Sequence, residues 1–181
     1  FGTARVGYVS MTTIGYDPEY VFNPGNTDDT STSVLSETKF VVAFEDAGNS
    51  NYGTAVIGDI SGNTIAYGSE YVLNPASTFR ISSSALSGTK FVVAFCDLGN
   101  SSYGTAVIGD VSGNTITYGL EYVFDATDTN WVSVSALSGT SFAVAYSDDD
   151  NSAYGMAIIG NVSGNAISYG SPYVINPATT S

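Results

Sequence analysis

The chain of 181 residues is 43% hydrophobic and 12% charged, with 17 acidic against 4 basic side chains, a formal charge of −13 and no histidine. That balance describes a folded domain and repels phosphate-rich partners and anionic membrane surfaces, so no nucleic-acid partner is expected. Without imidazole there is no Ser/His/Asp or Cys/His nucleophile system and no ordinary His-ligated zinc or copper site.

No apolar run approaches the roughly 20 residues of a membrane helix, so membrane insertion is not expected. Cys96 is the only cysteine, with Glu45 and Ser147 one repeat away, and reads as a tolerated substitution. The chain opens at Phe1 with neither an initiator Met nor a signal-like segment, and reads as processed or cut from something longer.

An internal repeat organises everything else. Phe1, Tyr52, Tyr103 and Tyr154 each open a Gly-Thr/Met-Ala segment, and successive copies are 51 residues apart. Phe40, Phe91 and Phe142 keep that spacing, as do Asp46, Asp97 and Asp148, and Tyr20, Tyr71, Tyr122 and Tyr173. In chain order, residues 1–29 carry only the last two strands of a unit, and complete units follow at 30–78, 79–129 and 130–181.

Each complete unit reads as four short strands rich in β-branched and aromatic residues, with no 3.6-residue pattern. In the middle unit they are expected at 79–86, 90–96, 103–110 and 115–124, with turns at Ser87-Gly88 and Ser112-Gly113-Asn114. The first strand, Ile81-Ser82-Ser83-Ser84-Ala85, is built of small residues that suit crowding at an axis. The second, Phe91-Val92-Val93-Ala94-Phe95, has no polar face and must be covered on both sides. The outermost alternates again, with Tyr118, Glu121 and Tyr122. Four-stranded antiparallel units of about 50 residues stacked face to face predict an all-β fold, a β-propeller of three complete blades plus an N-terminal half-blade.

A resemblance joins this reading. The run Ser-Val-Ser-Ala-Leu-Ser-Gly-Thr-Ser-Phe-Ala-Val-Ala-Tyr at 133–146, followed by an Asp/Asn/Ser loop and then a Gly-x-x-Tyr-Val outer strand, resembles the propeller-type repeats of large secreted bacterial surface proteins. It covers the whole chain, although Tyr103-Gly104-Thr105-Ala106-Val107 stands where that family tends to hold a Tyr-x-x-Arg pattern. The resemblance implies an extracellular or cell-surface setting. Three and a half blades do not close, so further repeats of the same chain or self-association are expected to cover the open ends by stacking or strand addition. The expected role is structural or adhesive and non-enzymatic, in a repetitive or filamentous assembly, with a glycan-binding, lectin-like module as the alternative.

Loops after the second and fourth strands are expected on one face, and they hold the candidate residues. Asp46, Asp97, Asp148 and Asp150, with nearby amides and hydroxyls, offer oxygen ligands to a hard cation such as calcium. The same Asp-x-Gly-Asn-Ser pattern is what a tight turn requires, with the acid capping backbone amides and Gly at positive φ; no other cofactor is expected. Asn49, Asn100 and Asn151 with Tyr52, Tyr103 and Tyr154 are the candidate glycan contacts. The outer-strand tyrosines and Trp131 read largely as packing between blades. Adjacent Asp148, Asp149 and Asp150 lack the separation hydrolytic carboxylates need. Asn100 and Asn161 match the N-glycosylation pattern.

Overall fold

The structure, a computed structural model, describes residues 1–179; the predicted last unit, 130–181, ends two positions beyond them. The chain opens with β1 (Gly2–Ala4), β2 (Gly7–Ser10), β3 (Thr13–Tyr16) and β4 (Tyr20–Asn23), where β1 pairs with β4 and β2 with β3. Next come β5 (Thr27–Ser36), β6 (Lys39–Asp46), β7 (Tyr52–Ser61), β8 (Thr64–Tyr67) and the long β9 (Tyr71–Ser87). They are followed by β10 (Lys90–Asp97), β11 (Tyr103–Ser112), β12 (Thr115–Tyr118) and β13 (Tyr122–Asp125). The last set is β14 (Thr129–Ser138), β15 (Ser141–Asp148), β16 (Tyr154–Ser163), β17 (Ala166–Tyr169) and β18 (Tyr173–Thr179). The fold is all-β, and all pairings are antiparallel. Single 3-10 turns at Ala47–Asn49, Leu98–Asn100 and Asp149–Asn151 follow the second strands.

Within each unit the strands run first, second, third, fourth across the sheet, as the polarity gradient predicted. Two details differ from the sequence reading. The outer strand expected at 115–124 is broken, β12 and β13 pairing separately with β11. Gly119 lies in the break, and a Cβ there would sit 2.6 Å from the Asn165 carbonyl oxygen, so the gap admits the turn of the following unit. The boundary drawn between 78 and 79 lies inside β9, which pairs with β7 through Tyr71 and with β10 through Ser87. Pro75 is accommodated because the register slips there, Gly53 opposing Asn74 and Tyr52 opposing Ser77.

The apolar central strands divide their side chains between two neighbours. Val41 and Ala43 of β6 and Ile57 of β7 pack with Phe91, Val93 and Phe95 of β10 in one cluster, while Phe40, Val42 and Phe44 pack with Phe22 of β4 in another. Val92 and Ala94, on the reverse side of β10, meet Phe142, Val144 and Tyr146 of β15. The sheets of the first two complete units are therefore sandwiched between neighbours, which is why Phe91 through Phe95 can be fully buried with no polar face.

The small-residue first strands have a specific use. Ser31 Oγ accepts the Ser83 amide at 2.9 Å, Ser82 Oγ that of Val134 at 3.0 Å and Ser84 Oγ that of Ala136 at 2.9 Å, so hydroxyls satisfy edge amides that a sheet of its own would leave bare. At the other edge, Lys39 donates to Asp59 within its sheet and to Asn114 Oδ1 (2.7 Å) and the Gly113 carbonyl (3.1 Å) of the next unit. Lys90 repeats this with Asp110, Asn165 and Gly164. In the last unit both members of the pair are exchanged, to Ser141 and Asn161.

Candidate functional site

The turns after second strands and the crossings after fourth strands do meet at one end of the sheets. Asp46 Oδ1 accepts the Gly48 amide at 3.1 Å and the Asn23 side-chain amide at 3.2 Å. Asp97 Oδ1 accepts the Gly99 amide at 2.9 Å, and Asp148 Oδ1 accepts from Asn151 N at 3.1 Å and Thr127 Oγ1 at 3.0 Å. Asp46 and Asp97 are buried; all three carboxylates cap their 3-10 turns, and Asp46 and Asp148 also pin the neighbouring crossing. Asp150 receives the Asp128 amide at 3.4 Å. Among the described residues no group of three or more His, Cys, Asp or Glu is arranged to hold a metal ion.

Positive φ was expected at the glycines of these turns and is found elsewhere. It falls on Ser50 and Asn51, Ser101 and Ser102, and Ser152 and Ala153. Gly48 and Gly99 are needed for close approach instead: a Cβ on Gly48 would lie 3.5 Å from Gly25 Cα, and one on Gly99 would collide with Ala76. Asn49, Asn100 and Asn151 are exposed on the turns, and Tyr52, Tyr103 and Tyr154 are half-buried, Tyr154 against the cluster beneath β15. Asn161 is exposed within β16.

The outer-strand tyrosines divide as packing logic requires. Tyr118 donates to the Tyr71 carbonyl at 3.3 Å and Tyr169 to that of Tyr122 at 3.1 Å, each with its ring edge-on to a buried Phe. Burial pushes their phenols well above the usual range. Tyr173, whose counterparts Tyr71 and Tyr122 are partly covered, is exposed.

A constellation missed by sequence reasoning lies at the same end. Asp29, Arg80 and Trp131 occupy equivalent positions, and all three have positive φ at bulges in the first strands. The Arg80 amide donates to Asp29 Oδ2 at 2.7 Å, and its guanidinium carbon lies 4.2 Å from the centre of the Trp131 ring. Arg80 Nε also donates to Asn130 Oδ1 (3.2 Å), whose amide reaches Asp149 Oδ2 (2.7 Å). Trp131 is 53% exposed, so its role is this cationic stack at the surface and not the inter-sheet packing expected. Beneath Asp29, buried Glu45 has its pKa pushed up to about 7, by burial first and then by Asp29 and Asp28. The sequence signal was three unlike residues at one repeat position; their shared positive φ shows only in the structure.

In the middle unit, burial raises the Asp125 pKa, opposed by hydrogen bonds from Thr127 and Thr129 and reinforced by Asp148 and Asp150. Burial likewise pushes the Cys96 thiol up to about 11, with Asp128 and Asp97 adding to it. No family model matches the chain, and no curated protein matches it either.

Proposed function

We propose that this chain is a non-enzymatic, extracellular structural or adhesive segment of β-propeller architecture, made of four-stranded blades and working as part of a repetitive assembly. The observation that carries the reading is the state of its last sheet. Ile175 is 63% exposed, whereas its counterparts Phe124 and Leu73, which have a following unit to pack on, are 7% and 4% exposed. Leu137, Ile159 and Tyr173 surround it in the same state, forming an apolar face of the kind the interior units bury. The carboxylates with the most suggestive spacing are committed to capping turns, which supports a scaffold over a reaction centre.

The test is the mass of the native polypeptide and of the particle it forms under non-denaturing conditions. A large particle of regular repeat supports the reading; a stable monomer that turns over a substrate refutes it. A second reading, a glycan-binding module, is favoured by one feature, the exposed Trp131 ring beside Arg80, Asn130 and Asp149. Glycan-array binding lost in Trp131→Ala, measured with and without calcium, would support it, and silence in both conditions would dismiss it.

A further inference from the structure

Two lysines at the junctions between complete units are surrounded by more chemistry than an ion pair needs. Lys39, at the start of β6, has its Nζ 2.5 Å from Asp59 Oδ1 of β7 and 2.7 Å from Asn114 Oδ1, in the turn between β11 and β12 of the next unit. Lys90, at the start of β10, repeats the set with Asp110 Oδ1 at 2.5 Å and Asn165 Oδ1 at 2.6 Å. Each junction therefore holds an amine, a proton acceptor and a carboxamide together. The amide carbon lies one C=O bond, about 1.2 Å, beyond the oxygen contacted, so each Nζ is within about 4 Å of an electrophilic Cγ, a side-chain torsion short of attack distance.

The surroundings hold these groups in place. Both lysine side chains are only 22% exposed, so their stems are packed and their ends have little freedom. Asn114 and Asn165 are half-buried, whereas their counterpart Asn63, which meets Asp17 and no lysine, is exposed. Hydrogen bonds from Lys39 first and, against partial burial, from Asn114 hold the Asp59 carboxyl below its usual range, so one carboxylate serves both the amine and the amide. In the last unit the lysine and the acid are absent together, Ser141 and Asn161 taking their places.

We propose that Lys39 and Lys90 form isopeptide bonds to Asn114 and Asn165, joining the first complete unit covalently to the second and the second to the third. Asp59, or Asp110 at the other junction, takes a proton from the lysine ammonium, and the freed amine adds to Cγ of the asparagine. The Cγ–Nδ2 bond then breaks as the carboxylic acid returns the proton to the leaving nitrogen. One ammonium and one carboxamide become one secondary amide and one ammonium ion, so atoms and charge balance and nothing is oxidised or reduced. Each bond spans 75 residues and the two spans overlap, so the three units are tied into one covalent network. The reaction uses only groups of this chain and does not depend on the assembly reading.

The experiment measures the intact mass of the full chain, freshly prepared and after a week folded at pH 9, and then digests it with trypsin under denaturing conditions. Two bonds release two molecules of ammonia, a loss of about 34 Da. Trypsin has only Arg5, Lys39, Arg80 and Lys90 to cut at. An acylated lysine is not cut, so the expected digest keeps Lys39-Phe40 and Lys90-Phe91 intact and leaves residues 6–80 joined to 81–181 after cleavage at Arg80. The full sequence mass after incubation, with cutting at both lysines, overturns the proposal. So does an ammonia loss that persists in the Lys39→Arg, Lys90→Arg double variant, whose guanidinium groups keep the charge but are not acylated, because the loss then arises within an asparagine. Asp59→Asn, with its strand signal in circular dichroism retained, should lose one ammonia only and be cut at Lys39; loss of both overturns the part given to Asp59. A chain held in concentrated urea at pH 9 should keep its full mass, and a loss there overturns the claim that the folded junction drives the bond.

Discussion

Gly109→Ala is the sharpest probe of the stacked core. Gly109 of β11 opposes Phe91 of β10, and the ring lies across the glycine, so a Cβ would come 2.5 Å from Phe91 Cε1. Ordinary carbon contacts are about 3.5–4.0 Å, which asks the ring to retreat by about 1 Å or more. It has nowhere to go: Phe91 is fully buried, with the Tyr118 ring edge-on at 6.3 Å and Val41 and Ala43 of the neighbouring sheet in the same cluster. A loss of about 2–3 kcal/mol is expected from overpacking, read as a lower urea midpoint by circular dichroism at unchanged slope. Adding Phe91→Leu should recover about 1 kcal/mol or more relative to additivity. Gly113→Ala is the control, since Gly113 has φ of +61° and open space around its Cβ position, and its cost of about 1 kcal/mol is purely conformational. A loss below about 0.5 kcal/mol for Gly109→Ala would refute the claim that the ring is clamped between sheets.

Glu45 has its pKa raised in the folded state, so its contribution to stability is fully present below about pH 4.5 and is lost as pH rises towards about 7. Glu45→Ser, the residue at position 147, should flatten that slope and raise the melting midpoint more at pH 8 than at pH 4.5. Cys96 is buried with its thiol pushed up to about 11, so a thiol reagent at pH 8 should label it only after denaturant is added. Arg80→Ala should leave the fold in place and cost about 0.5–1 kcal/mol. Trp131, the sole tryptophan, would report it as a red-shifted emission with easier acrylamide quenching.

Identity between units made most of the fold legible: a residue seen once was seen three times, and the apolar Phe91–Phe95 run could have no meaning except burial on both faces. What stayed hidden were departures from regular pleating. Asn74-Pro75-Ala76-Ser77 reads as a loop, yet a register slip carries the strand through it; the broken outer strand exists only because the next unit's turn needs the room. The site was partly legible in the same way. Asp46, Asp97 and Asp148 were recognisable as turn acids, because capping is local chemistry. Asp29, Arg80 and Trp131 were not, since their common positive φ is a backbone property that three different side chains conceal.

β9 gives the first two complete units a mechanical character that the other junctions lack. Its seventeen residues leave one sheet and enter the next as one continuous strand, interrupted only by the register slip at Pro75-Ala76 and the bulge at Arg80, so tension along the chain would be borne there as shear across many hydrogen-bonded rungs. At 24–26 and 126–128 the strands are interrupted, and there a protease or a pulling force finds bends in place of a ladder. The first two complete units thus form a single structural girder, with yield points on either side.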